Sequence, residues 1–201
     1  MTGNDRLERF AELVVRVGAN VQPGSGVLLD TDIAHVEVAR AVVEHAYAAG
    51  ASWVEVEWSD GPIRRSRLTH ASVETLTKSR PWAIERVNAW AAGRGVSIQL
   101  VGDPDPHLLD DVDPAKAAAV PIEEVLARRE ARLVQQLRWT VVPAPNPGWA
   151  REVFGEPDIE RLWDAVTTAL RLDEADPVAC WRERAAQLAA RARPLDACHA
   201  H

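Results

Sequence analysis

The sequence predicts an α/β fold: a parallel, doubly wound sheet of about four strands with helices on both faces, closed by a long C-terminal helix. Three observations carry this. Short apolar or alternating runs recur between longer stretches with helical spacing, which is the pattern of strands joined by crossover helices. Turn residues punctuate nearly every change of period. The composition, 47% hydrophobic and 26% charged over 201 residues, is that of a globular chain able to bury a core without disulfides.

In chain order, Leu7, Phe10, Ala11, Val14 and Val17 fall at helical spacing, and Gly18 ends the run. Gln22-Pro23-Gly24-Ser25-Gly26 is a loop, and Val27-Leu28-Leu29 a short buried strand closed by Asp30-Thr31-Asp32. A helix over Val36–Ala49 places Ala39, Val42, Val43 and Ala46 on one face and stops at Gly50. Trp53–Trp58 alternates with period two and reads as the second strand, terminated by Ser59-Asp60-Gly61-Pro62. A polar segment carrying Arg64, Arg65 and Arg67 reads as a solvated loop before helical stretches near Ala71–Thr77 and Ala83–Ala92. Val96–Val101 is the third strand, a helix covers Ile122–Gln136, and Trp139–Val142 is the fourth strand. Pro143, Pro145 and Pro147 predict an extended connection. Helices then follow over Gly148–Val153, Ile159–Leu170 and Pro177–Ala192, the last opened by Asp176 as cap and Pro177 at the first helical position.

The net charge of −7 disfavours nucleic acid as a partner. Cys180 and Cys198, without a secretion signal, are expected to be reduced thiols of a cytoplasmic protein. No apolar run is long enough to span a bilayer.

In a parallel sheet the carboxyl ends of the strands form the ligand crevice. Asp30, Asp32, Asp60, Asp103 and Asp105 lie there. Converging carboxylates bind hard cations such as magnesium or calcium, or share a proton. Each of these residues also sits in a turn signature, where Asp serves as a cap. Gly24-Ser25-Gly26 follows a helix and opens a strand, the reverse of a phosphate-binding loop. Neither Lys78 nor Lys116 follows a strand, which argues against a phospho-acceptor receiver. His199 and His201 beside Cys198 are metal-binding residue types without nearby partners. His35, His45, His70 and His107 are scattered and expected near loops or helix surfaces. No G-x-S-x-G motif is present, and Cys180 is expected to pack rather than react. Trp53, Trp139, Trp163 and Trp181 are expected in core or interface packing, with Trp149 the least committed.

Five stretches together resemble one family. They are Leu7–Pro23, Ala51–Arg65, Gly102–Asp113 with its G-D-P-D start, Trp139–Phe154, and Leu170–Leu188 with R-L-D and D-P-V. They are similar, in the same order, to the cytosolic aminopeptidases of the aminopeptidase T, aminopeptidase S and PepS type. The resemblance implies a longer two-domain protein: an α/β domain, here residues 1–172, a linker helix, here 173–201, and a second domain holding two divalent metals, zinc or cobalt. It implies hydrolysis of N-terminal residues from peptides, and a homodimer. The family's metal-binding residues follow T-D-L and T-E-E motifs that this chain lacks. The resemblance therefore assigns no catalytic and no metal residue here and leaves the substrate-binding residues unknown. It implies a non-catalytic portion, inactive alone. Two alternatives stand beside it: a stand-alone α/β binding module, and a magnesium- or calcium-dependent enzyme using the strand-end aspartates.

Overall fold

The computed structural model describes residues 3–93, 95–133 and 137–198, with side chains as far as 194. His199, His201, the Cys198 side chain and the end of the helix expected through Gln136 lie outside the described residues.

The first helix, α1 (Gly3–Leu13), runs into a π-helical turn over Val14–Gly18, closed where the Ala19 amide donates to the Val14 carbonyl at 2.8 Å. Strand β1 (Gly26–Asp32) leads through a single 3₁₀ turn into α2 (Val36–Ala48) and then β2 (Trp53–Ser59). Three helices follow: α3 (Gly61–His70), α4 (Val73–Thr77) and α5 (Pro81–Ala92). Next come β3 (Val96–Val101), the short α6 (Pro114–Ala117), α7 (Ile122–Leu133) and β4 (Arg138–Pro143). The chain continues through α8 (Pro147–Phe154) and α9 (Ile159–Leu170) to α10 (Pro177–Cys198).

The four strands are all parallel, in the order β2-β1-β3-β4. The expected doubly wound architecture is present. The strand order reverses between β1 and β3, since the chain goes from β1 outward to β2 and then returns to the other side.

The two faces of the sheet differ. Val27, Leu29, Val96, Ile98 and Leu100 point to one face and form the main core with Phe10, Val14, Val15, Val42 and Trp163. Leu29, Ile98 and Phe10 are fully buried, and each such side chain contributes about 1.5–3 kcal/mol on leaving water. Phe10 meets the Trp163 ring edge to face at 5.5 Å, which fixes α9 against α1. Arg6 seals the same contact by pairing with Glu160 at 2.7 Å and Asp164 at 3.2 Å.

The opposite face carries Glu55, Glu57, Asp30, Ser97 and Gln99, an unusual set for a parallel sheet, whose faces are normally apolar. Helices α5 and α7 cover it with arginines. Arg86 pairs with Glu55 at 3.0 Å and Glu57 at 2.8 Å, and Arg128 reaches Glu57 at 3.3 Å. A small second cluster, Val87, Ala91, Ala131 and Leu137, joins α5 to α7. Glu124 ties the pair further, accepting from the Arg80 backbone amide at 2.8 Å and from its guanidinium.

Several expectations need correction. The segment with Arg64, Arg65 and Arg67 is helix α3, because Asp60 caps it through the Ile63 amide at 2.8 Å and Pro62 sits in its first turn. The proline stretch after β4 is extended as far as Asn146 (φ −146°, ψ 164°), and α8 opens one residue earlier than expected. Asn146 caps α8 and Pro147 opens it. Of the residues expected in core or interface packing, Trp53 and Trp139 are 41% and 51% exposed on the two edge strands and so lie outside the core. Trp163 is buried as expected, and Trp181 packs on the core while its indole N–H donates to the Leu170 carbonyl at 2.7 Å.

Candidate functional site at the strand switch point

A crevice of ≈ 260 Å³ opens at the carboxyl ends of β1 and β3. Its floor is Asp30-Thr31-Asp32 and Gln99–Gly102, and its rim carries Ser59, Arg64 and Asp103. This is where a doubly wound sheet places a ligand, since the diverging crossovers leave the strand ends uncovered.

Three of the five strand-end aspartates are committed to backbone. Asp32 Oδ1 accepts from the Ala34 amide at 2.9 Å, and its Oδ2 accepts from Ser59 Oγ at 3.1 Å. Asp60 caps α3. Asp103 Oδ1 accepts from the Asp105 amide at 3.0 Å. Asp105 is not among the residues lining the crevice. Among the described residues, no three His, Cys, Asp or Glu side chains lie close enough together to hold a metal ion. The strand-end aspartates therefore share a sheet edge without converging.

Asp30 is different. It lies beside Glu57 across the β1–β2 register, with its side chain 17% exposed. Burial pushes its carboxyl up to about 6, and the bond shared with Glu57 adds to this, against the pull of Arg128. Burial also raises Glu57, but Arg128, the Asp30 bond and Arg86 outweigh it, so Glu57 lies below its usual value. Below about pH 6 the pair therefore holds its proton on Asp30, and at neutral pH both groups are carboxylates. A second cleft of ≈ 580 Å³ continues from Asp30 and Gln99 along the polar sheet face, beneath Arg128 and Arg132 and out to Trp139.

His35 stands at the back of the crevice, 2% exposed, rather than near a surface as expected. His45, His70 and His107 are on helix or loop surfaces. Asn146, fully buried, fixes the state of the His35 ring. Asn146 Oδ1 accepts from the Trp149 amide at 2.9 Å, so its Nδ2 donates to the Gly102 carbonyl at 3.0 Å and faces His35 Nε2 at 3.2 Å. Nε2 is then an acceptor, and Nδ1–H points to Thr31 Oγ1 at 3.4 Å. Burial lowers the ring's pKa, in keeping with a neutral imidazole. The network joins the loops after β1, β3 and β4. Gly102 is required in it, because a Cβ there would run into the Ala144 carbonyl.

His35, Asn146, Glu57, Arg128, Gln99 and the role of Arg64 were not singled out from sequence as site residues. For Asn146 the signal was present, an amide followed by proline. For Asp30 and Glu57 the link is one of strand register.

Residues 3–201 match the family of thermophilic metalloproteases, M29. The chain belongs to the M29 peptidase family. Against curated M29-type relatives it is 33% identical to aminopeptidase 2 of Geobacillus stearothermophilus over 190 residues, which are 91% of this chain and 46% of that protein. It is 37% identical to aminopeptidase T of Thermus thermophilus over 182 residues, 87% of this chain and 44% of that protein. The solved structure of wild-type AmpT from Thermus thermophilus superposes with a TM-score of 0.78 at 31% identity, covering 94% of this chain and 50% of that one. The M29 chain described here thus spans about half the length of the relatives it matches. Its family is metal-dependent, yet the described residues offer no ligand set that fits a metal. No helix among them is long and apolar enough to cross a membrane.

Proposed function

We propose that this chain is the N-terminal, non-catalytic portion of a cytoplasmic metalloaminopeptidase. In that protein a following domain holds two divalent metals, zinc or cobalt, and hydrolyses N-terminal residues from peptides. The observation that carries this is the combination of an M29 match over residues 3–201 with the absence, among the described residues, of any three side chains placed to hold a metal. In this reading residues 1–172 are the α/β domain and 173–201 the linker toward the catalytic domain, with α10 its described helical part. Helix α10 suits that role: it is anchored by Trp181 and exposed from Arg182 onward. In the intact enzyme the domain would wall the substrate chamber and support a homodimer.

The purified 201-residue chain is expected to release no nitroaniline from aminoacyl or peptide nitroanilides, with or without added zinc or cobalt. Turnover that depends on added metal and survives repurification would overturn the non-catalytic assignment. An in-frame continuation past the His201 codon, bearing T-D-L and T-E-E motifs, would support it.

A further inference from the structure

We propose that the crevice at the carboxyl ends of β1 and β3 binds a small zwitterion, a free α-amino acid, with its ammonium group against Asp30 and its carboxylate against Arg64. This inference does not depend on the proposed enzymatic role.

The charges of the walls select the ligand class. Asp30, Asp32 and Asp103 line the crevice on the strand side, and Arg64 lines it from α3. The Arg64 guanidinium makes no hydrogen bond or ion pair with any described residue, whereas its neighbour Arg65 is bound to Asp111 and to the Leu108 carbonyl. The Gln99 side-chain amide, in the floor, is likewise without a partner among the described residues. An anion entering here would face three carboxylates. A simple amine would leave Arg64 unanswered. A divalent cation would lack a third close ligand. A zwitterion meets both signs at once, and a guanidinium is well shaped for a carboxylate.

Size and rigidity agree. A volume of ≈ 260 Å³ lies just below the roughly 300–1,000 Å³ of drug-sized sites, which suits a molecule of amino-acid dimensions. The walls are held before any ligand arrives. Ser59 is tied to Asp32 and to the Thr31 carbonyl at 3.2 Å, and His35 and Asn146 lock the Gly102 turn. Preorganised walls lower the ordering cost of binding.

The test is calorimetric titration of the purified 201-residue chain with the common α-amino acids, one at a time. Each is compared with its decarboxylated amine and its deaminated acid. At least one amino acid should bind with one-to-one stoichiometry, and its two half-ligands roughly tenfold or more weakly, as expected for loss of a charge-assisted contact. Arg64→Gln should weaken the amino acid by a similar factor and leave the amine unchanged. Asp30→Asn should weaken the amino acid and the amine together. Circular dichroism confirms that both variants fold, and Arg64, exposed and unpaired, is free to change without loss of structure. The proposal is overturned if no amino acid binds at millimolar concentration, or if an amine binds as tightly as its parent amino acid. It is also overturned if both variants bind as the parent chain does, or if magnesium or calcium alone titrates stoichiometrically and is lost in Asp30→Asn.

Discussion

At the scale of single residues, the crevice holds two buried titratable groups whose pKa values move in ways that oppose each other. Asp30 is raised from 3.8 to about 6. The folded state therefore holds more protons than the unfolded chain in that window, and stability falls as pH rises through it. His35 is lowered from 6.5 by burial, so its contribution is complete above 6.5 and is lost as pH falls below that value. The groups facing Asp30 are Glu57 from β2 and Arg128 and Arg132 from α7, and only Glu57 among them titrates on the acid side. Replacing Asp30 with Asn removes the costly charge and keeps a donor toward Glu57. Urea unfolding across the acid-to-neutral range should show the variant more stable at pH 7 by about 1–2 kcal/mol. Its stability should no longer decline between pH 3.8 and about 6, leaving the rise that His35 produces together with the acid-side rise from the depressed carboxyls of Glu57 and Glu124. A variant whose pH profile parallels that of the parent chain would mean that Asp30 is not held protonated by its burial beside Glu57.

Among the elements, α8 shows how tightly the crevice loops are set. A Cβ on Gly148 would overlap the Pro104 carbonyl, so the first turn of α8 sits directly on the loop that follows β3. Gly148→Ala should destabilise the chain by about 1–3 kcal/mol, the range for overpacking a rigid contact, measured as a drop in urea midpoint at unchanged slope. A variant as stable as the parent would show that this loop yields freely. The same elements show what the sequence could reveal. All four strands and most helices were legible because hydrophobic periodicity is local. Helices α3, α6 and α8 open with one signature: Asp60 with Pro62, Asp113-Pro114 and Asn146-Pro147. Read at Asp176-Pro177, that signature located α10. Elsewhere it went unused: Asp60 was read as the end of β2, Pro147 as part of an extended connection, and no helix was expected at Asp113-Pro114, because a capping residue and a proline also mark turns. The aspartates at the strand ends were legible as a set, but their division into caps and one perturbed acid was not. That division depends on register between β1 and β2 and on arginines arriving from α5 and α7, contacts made across long stretches of chain. His35 was read as a surface residue because nothing local marks the fully buried Asn146, 111 positions away, that holds it.

For the molecule as a whole, the unequal faces of the sheet divide the work. The apolar face, with α1, α2 and α9, supplies the core and hence most of the stability. The polar face, under α5 and α7, supplies the charged cleft continuous with the crevice. Helix α10 belongs to both the body and its surroundings. Its first turns join the core, with Val178 buried and Trp181 packed against the main cluster, while residues 182–194 are exposed throughout. A solvated stretch of that length adds little, since most helical stability in proteins comes from packing. A chain ending at Arg184 should therefore unfold within about 0.5 kcal/mol of the parent, as surface changes do. Trp181→Ala, which empties a partly buried site and leaves the Leu170 carbonyl without its donor, should cost about 2 kcal/mol or more. Urea unfolding of the two variants side by side separates anchor from extension. A large loss in the shortened chain would mean that the exposed half of α10 stabilises the body, and its role as a solvated connector would have to be given up.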